Sequence, residues 1–336
     1  MNIRNVFSVL FTIALLSGCS TAGMQRVPKD KVVSPESARP ALEVTEARGL
    51  TLSLLSERMD YLIGEPVYLA ARLTNSGAAP RNVFASLQPE DVMVTVIVRD
   101  PSGRVTAFSP LGHSDSDERV MMELPAGATI GDLFPVFFGA RGWTFTQPGD
   151  YEVHAVYLLP DGKQGAERVQ SNRLTLRIAA ASDATGKQML DQQPEVMHET
   201  GLLMAWRGGD HLKQGHDHLQ RLSEQSPPSL LADSINSVLA QSAGRRFMNY
   251  QAGKVRAPDC ERAATYLKRV TGERLAEFLQ FQNAVTKFRC AVLARERDAE
   301  QHLRRAREIA GDRPEYRGLL ARIDEMEKNW RSAARQ

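Results

Sequence analysis

No charge of one sign dominates the 336-residue chain: 42 lysines and arginines stand against 40 aspartates and glutamates. No long basic field therefore marks a nucleic-acid surface. Catalytic signatures are also missing. There is no glycine-rich phosphate loop ahead of a helix, no Gly-x-Ser-x-Gly elbow and no free cysteine beside a histidine. His198-Glu199 opens like a zinc-protease motif, but position 202 is a leucine where the second histidine would stand. Apolar runs are short as well. The longest lies near the start, from Val6 to Leu16, and falls well below the roughly 20 residues that cross a bilayer. What remains is ordinary for a folded body, with 42% hydrophobic and 24% charged residues.

The most specific stretch is Leu16-Ser17-Gly18-Cys19. Arg4 gives a positive start, Val6 to Leu16 an apolar core, and Ser17 and Gly18 the small residues of a processing site. This stretch resembles the lipobox of bacterial lipoproteins. The resemblance implies that residues 1–18 are a signal peptide and that Cys19 becomes the lipidated first residue. Several acyl chains on it, at about 0.8 kcal/mol per buried methylene, would hold the chain at a membrane. In that family an aspartate after the cysteine favours the inner membrane. Here Ser20 follows, so the resemblance points to the outer membrane of a bacterial envelope.

Residues 19–41 hold Ser, Thr, Ala, Pro, Lys and Asp with hardly an aromatic, and read as a flexible tether. Its coil dimension is about 25 Å. From 42 to 180 the pattern is that of short strands. Leu50 to Leu54 alternates, Val67 to Leu73 ends at Asn75-Ser76-Gly77, and Val92 to Val98 is β-branched. Tyr151 to Tyr157 alternates again and is answered by Leu174 to Ile178. Regular strands between turn residues predict an antiparallel sandwich. Gln147-Pro148-Gly149-Asp150-Tyr151 resembles the turn and tyrosine that open a late strand in immunoglobulin-like domains, where the phenol braces the corner. The cysteine pair and tryptophan of antibody domains are absent, and nothing in its spacing assigns Trp143 to the core.

Residues 181–194 are polar and read as a hinge. Over 195–332 the period becomes helical: Leu230, Leu231, Ile235, Val238 and Leu239, then Phe278, Leu279, Val285 and Phe288, then Leu303, Ala306 and Ile309. Asp259 is placed to cap a helix starting at Cys260, and Asp312 with Pro314 restarts the last one. Tyr316, Leu319, Leu320, Ile323, Met326 and Trp330 form its apolar stripe. The fold class expected is thus multidomain β plus α, an immunoglobulin-like sandwich followed by all-α hairpins. These resemble tetratricopeptide stacks in architecture only, because no repeat of about 34 residues aligns.

An oxidising envelope would let Cys260 and Cys290 pair. They lie symmetrically about Leu275, so a hairpin turning there joins them. A turn at Gly272 would instead leave them about 9 Å out of register.

One cluster invites a metal: His211, His216 and His218, with Asp210 and Asp217, carry ligands suited to zinc, copper or nickel. On a helix His216 and His218 diverge, and Gly215 can break that helix. The plainer reading makes Asp210 a cap and sends Leu212, Leu219 and Leu222 to the core. Asp115, Asp117 and Glu118 form a charged loop lacking the glycine and distal glutamate of a calcium site. Arg245, Arg246, Arg304, Arg305 and Arg307 suggest an anionic partner, but Glu296, Asp298, Glu300 and Glu308 dilute that field into helix-surface pairs.

The resulting expectation is a non-catalytic, membrane-anchored scaffold that binds a protein or a glycan of the envelope. It needs no cofactor, touches membrane lipid through Cys19 and does not bind nucleic acid. The alternative is a metal-binding protein using the histidine cluster.

Overall fold

The computed structural model describes residues 44–112, 120–160, 166–180, 184–249, 253–272, 275–296 and 298–333. The signal 1–18, Cys19 and the tether 19–41 lie outside the described residues, as do Asp115, Asp117 and Glu118. Among the described residues no helix is long and apolar enough to cross a membrane.

Two sheets arise from the alternating stretches. In the first, Leu50–Ser56 pairs antiparallel with Tyr68–Asn75, which pairs antiparallel with Thr129–Pro135. Leu50, Leu52 and Leu54 are buried, with exposed or half-buried residues between them. The second sheet is built on the long strand Gly149–Pro160. One of its edges takes Val94–Arg99, which in turn takes Val105–Ala107. Its other edge takes Leu174–Ala179 along the first half and Ala166–Gln170 along the second. The expected strand at Val92 begins two residues later, because Val92 sits at φ 69° and closes the 3-10 turn Pro89–Asp91.

The second sheet is mixed rather than purely antiparallel. Val44–Glu46 runs parallel to Ala166–Gln170, and Asp60–Leu62 runs parallel to Leu174–Ala179. Tyr151, Val153, Ala155 and Tyr157 are buried on one face of the central strand and share a single apolar cluster with Leu52, Leu54, Leu69 and Leu73. The Tyr151 hydroxyl donates to the Gln147 carbonyl at 3.0 Å and accepts from its N–H at 3.2 Å. The turn and the strand it opens are thereby tied together.

Eight helices follow among the described residues: α1 (Ala184–Leu190), α2 (Pro194–Trp206), α3 (Lys213–Gln225), α4 (Leu230–Ala243), α5 (Cys260–Leu267), α6 (Glu277–Ala294), α7 (Ala299–Ala310) and α8 (Arg317–Ala333). This half is not all-α. A hairpin of Phe247–Asn249 and Lys254–Arg256 separates α4 from α5. Asp259 caps α5 as its position predicts, accepting from the Arg262 N–H at 3.0 Å. Cys260 and Cys290 form a disulfide with their Cα atoms 5.3 Å apart. The connection from α5 to α6 is long enough to absorb the register offset, although Gly272 does turn there at φ 85°.

The stretch 181–194 does not behave as the expected hinge. It carries α1, whose Met189 is fully buried. The helices also lie directly on the first sheet. Tyr68 packs its ring 4.5 Å from that of Phe278, and Arg72 grips Glu315 through two hydrogen bonds of 2.8 and 2.9 Å. Gly131 allows this approach, since a Cβ there would stand 2.9 Å from the Glu315 nitrogen. The Glu57 carboxylate crosses from the strand half to accept from the Glu277 and Phe278 amides, at 2.6 and 3.2 Å, at the positive start of α6. Leu42 to Gln336 accordingly forms one compact unit.

Candidate functional site

The histidines singled out in the sequence do not converge. His211 stacks on Phe247 with ring centroids 6.5 Å apart. His218 is buried in α3 against the backbone of Met189, and burial lowers its pKa. His216 faces a shallow pocket of about 300 Å³ shared with Asp210, Lys213, Arg256 and Arg262. Its pKa is also lowered, by burial and then by Arg262, against the opposing pull of Asp217 and Asp210. Among the described residues no group of three or more histidine, cysteine, aspartate or glutamate side chains is placed to hold a metal. Asp210 is not the cap of α3. It is bound to Arg256 at 2.9 Å, and Leu212 takes the cap position without a side-chain bond. Gly215 does not break the helix but lets α2 approach, because a Cβ there would meet the Glu199 carbonyl carbon at 2.5 Å. His198 packs on Phe138, and Glu199 accepts from the Gly215 amide.

A different site lies where α2, α4, α6 and α8 meet. A cleft of about 740 Å³ opens there, within the range that holds a small organic ligand. Arg207, Arg245, Arg246, Arg289 and Arg322 line it, and among the described residues no aspartate or glutamate does. Its apolar side is formed by Val285, Phe288, Ile323, Met326 and Trp330, with Leu293 at the exposed rim.

Each inner arginine reaches the cleft for a local reason. Arg207 ends α2 in the left-handed conformation at φ 53°, where glycine is the usual residue. That turn lays its guanidinium over the Phe278 ring, 4.8 Å from the centroid. Its Nη1 is buried and has no hydrogen-bond partner. Arg245 follows the end of α4 and donates to the carbonyls of Trp206 and Arg207 at 3.0 and 3.4 Å. Arg289 projects from α6 beside the disulfide, and its one polar contact among the described residues is the Met326 sulfur, at 3.9 Å. A buried acceptor, Gln241 Oε1, is also without a partner on the same wall.

Electrostatics single out these three. Burial lowers the pKa of Arg207, Arg245 and Arg289. Arg245 is lowered further by Arg207, Arg289 and Arg256, and Arg289 further by Arg207. Two arginines elsewhere are neutralised: Arg256 by Asp210, and Arg307 by Asp324 and Glu327. Among the described residues none of the five cleft arginines is in an ion pair. An unpaired buried guanidinium costs several kcal/mol in principle, so an anion that meets it gains a correspondingly large interaction.

Among the described residues the expectation of surface pairing thus holds for Arg305, which meets Glu308, and for Arg307, but not for Arg245, Arg246 and Arg304. Sequence reading missed Arg207, Arg289 and Arg322 altogether. Their grouping depends on how four helices pack, and the one local signal was an arginine directly before Gly208-Gly209 at a helix end.

No protein-family model matches the chain, and no curated protein matches it in sequence. Solved structures resemble parts of it. The ApaA protein of Bordetella pertussis is 16% identical over 40% of this chain and 97% of its own, at a TM-score of 0.25. A CARDB domain from Pyrococcus furiosus, solved with two metal ions, is 12% identical over 39% of this chain and 87% of its own, at 0.21. The match to a Listeria innocua β-glucosidase is 11% identical at 0.24 and spans 39% of this chain but only 16% of the enzyme. Likeness at these scores carries no argument about function.

Proposed function

We propose that the protein is a non-catalytic envelope lipoprotein, anchored through Cys19, whose cleft binds an anionic ligand or the anionic group of an envelope protein or glycan. The observation that carries the reading is the set Arg207, Arg245 and Arg289, converging without a carboxylate and with Arg207 Nη1 unpartnered. Planar guanidiniums suit phosphate and carboxylate oxygens, which accept two parallel N–H donors. The strand half serves as the rigid platform. An immunoglobulin-like assignment for it is supported by the three-stranded and seven-stranded sheets sharing one apolar cluster and by the Tyr151 hydroxyl bonded back to Gln147. Attachment through Cys19 to the outer membrane would confine the cleft to a thin layer and raise its effective concentration for neighbours.

The direct test is titration of the purified full chain with inorganic pyrophosphate, following the arginine side-chain N–H signals by NMR. Saturable shifts that disappear in Arg289→Gln are expected, and an absence of saturable binding would sink the cleft as an anion site. Anchoring is tested separately by metabolic acyl labelling. Cys19→Ala is expected to abolish the label, and normal labelling of that variant would refute the lipobox reading.

A further inference from the structure

We infer that the cleft takes a phosphate-headed amphiphile, its head on Arg207, Arg245 and Arg289 and its apolar chain along Val285, Phe288 and Met326 toward Leu293. This rests on the proposed anion-binding reading and names the ligand class. Three features of the cleft carry it. The same cleft is lined by guanidiniums and by an apolar wall of Val285, Phe288, Ile323, Met326 and Trp330. The volume of about 740 Å³ far exceeds the needs of a bare inorganic ion. Leu293 is 60% exposed at the end of that wall, an apolar side chain left in water where the chain of an amphiphile would cover it.

The head is a phosphate rather than a carboxylate for reasons of charge and donor count. Each guanidinium presents five N–H donors, and three guanidiniums line one cleft with no aspartate or glutamate among its described lining residues. A phosphate monoester brings a charge of about −1.5 to −2 and three acceptor oxygens, whereas a carboxylate brings one charge and two oxygens. A hydroxyl on the head would also satisfy the buried Gln241 Oε1, which lacks a donor.

Octyl phosphate, inorganic phosphate, octanoate and octyl glucoside, each below its micellar concentration, are the probes for calorimetric titration of the full chain carrying Cys19→Ala. Octyl phosphate is expected to bind at least tenfold more tightly than each of the others. Arg289→Gln should weaken both phosphate probes at least tenfold. Leu293→Ser, at an exposed position that does not endanger folding, should weaken octyl phosphate severalfold and leave inorganic phosphate unchanged. Equal binding of octyl and inorganic phosphate would overturn the amphiphile while leaving the anion site intact. Octanoate or octyl glucoside as tight as octyl phosphate would overturn the phosphate head, and no binding of any probe would end both readings. A second arm offers lysophosphatidic acid either free in buffer or in phosphatidylcholine vesicles. Co-sedimentation with the vesicles identifies a membrane headgroup as the source, capture of the free monomer alone identifies a soluble amphiphile, and capture of lysophosphatidic acid in neither form would overturn the inference.

Discussion

Arg72 and Arg289 are both half-buried, yet one meets a carboxylate and the other a thioether. At the seam between sheet and helices, Arg72 is held in a two-bonded pair by Glu315, and Glu57 caps α6. In the cleft, Arg207 Nη1 has no partner, and Arg289 finds only the Met326 sulfur. The difference separates charges that hold the fold together from charges the fold must tolerate. Removing a seam charge should destabilise, because its partner is left buried and alone. Removing Arg289 should not, because no buried acid or carbonyl is left behind. Changes at successive positions therefore test whether the two regions differ in kind or only in degree.

The largest effect belongs to the covalent brace behind the cleft. Cys260 and Cys290 close a loop of 30 residues, and losing such a bridge costs about 3–4 kcal/mol in the chain-entropy account. The Cys260→Ser/Cys290→Ser variant should show that loss in urea unfolding. It should also weaken pyrophosphate binding, because Arg289 neighbours one cysteine and Pro258, on the cleft wall, lies near the other. Unchanged binding in the folded variant would show that the cleft stands without its brace.

Next comes the seam pair itself. Glu315 has only 4% of its side chain exposed and Arg72 has 32%, so Arg72→Met or Glu315→Gln should cost about 2–3 kcal/mol, short of the fully buried case. The pair also has a pH signature. Burial opposes ionisation of Glu315, but the Arg72 hydrogen bond and charge outweigh it and hold the carboxyl below its usual value. A depressed carboxyl contributes stability that is present above its unfolded pKa, about 4.3, and is lost as pH falls through the lower folded value. Glu57 works in the opposite sense, because burial raises its pKa despite the two amide bonds it accepts. The informative quantity is therefore the stability difference between wild type and Glu315→Gln, which should shrink below about pH 4. A difference that stays constant from pH 7 to pH 3 would contradict the assignment.

The cap is a smaller matter. Glu57→Ala should cost about 1 kcal/mol, the usual loss for a helix N-terminal acceptor. Because Glu57 belongs to the strand half and α6 to the helical half, the same variant should speed hydrogen exchange in the first turn of α6 relative to the centre of the first sheet. Uniform exchange changes throughout the unit would mean that the cap contributes to global stability alone.

Much of the frame was legible because it is local. Alternation in Leu50 to Leu54 and in Tyr151 to Tyr157 gave strands near their observed bounds, and Asp259 marked the start of α5. What escaped the sequence was long-range. Tyr68, Arg72 and Gly131 show no one-dimensional sign that they receive a helical layer, so strand and helix halves read as separate domains joined by a hinge. Met189-Leu190 is a lone large apolar pair in a polar stretch, too little to announce a docked helix. The cleft was least legible. Its arginines come from positions 207, 245 and 289, far apart in sequence, and only Arg245 stands out there, where it reads as a helix-surface pair that the packing does not provide.

The smallest expected effect is also the one of opposite sign. Arg289→Met removes a charge that burial and Arg207 already disfavour and places a flexible apolar side chain against Met326 and the cleft wall. No acid loses its partner, so the term that makes Arg72→Met costly is absent. The variant should be as stable as the wild type or more stable by up to about 1 kcal/mol, a rise of about 2 °C in a chain of this size. Anion binding should be lost in the same protein. Thermal unfolding and pyrophosphate titration of that one variant place the two regions side by side. A destabilisation as large as that of Arg72→Met would mean that Arg289 supports the fold after all, and the contrast between seam and cleft would fall with it.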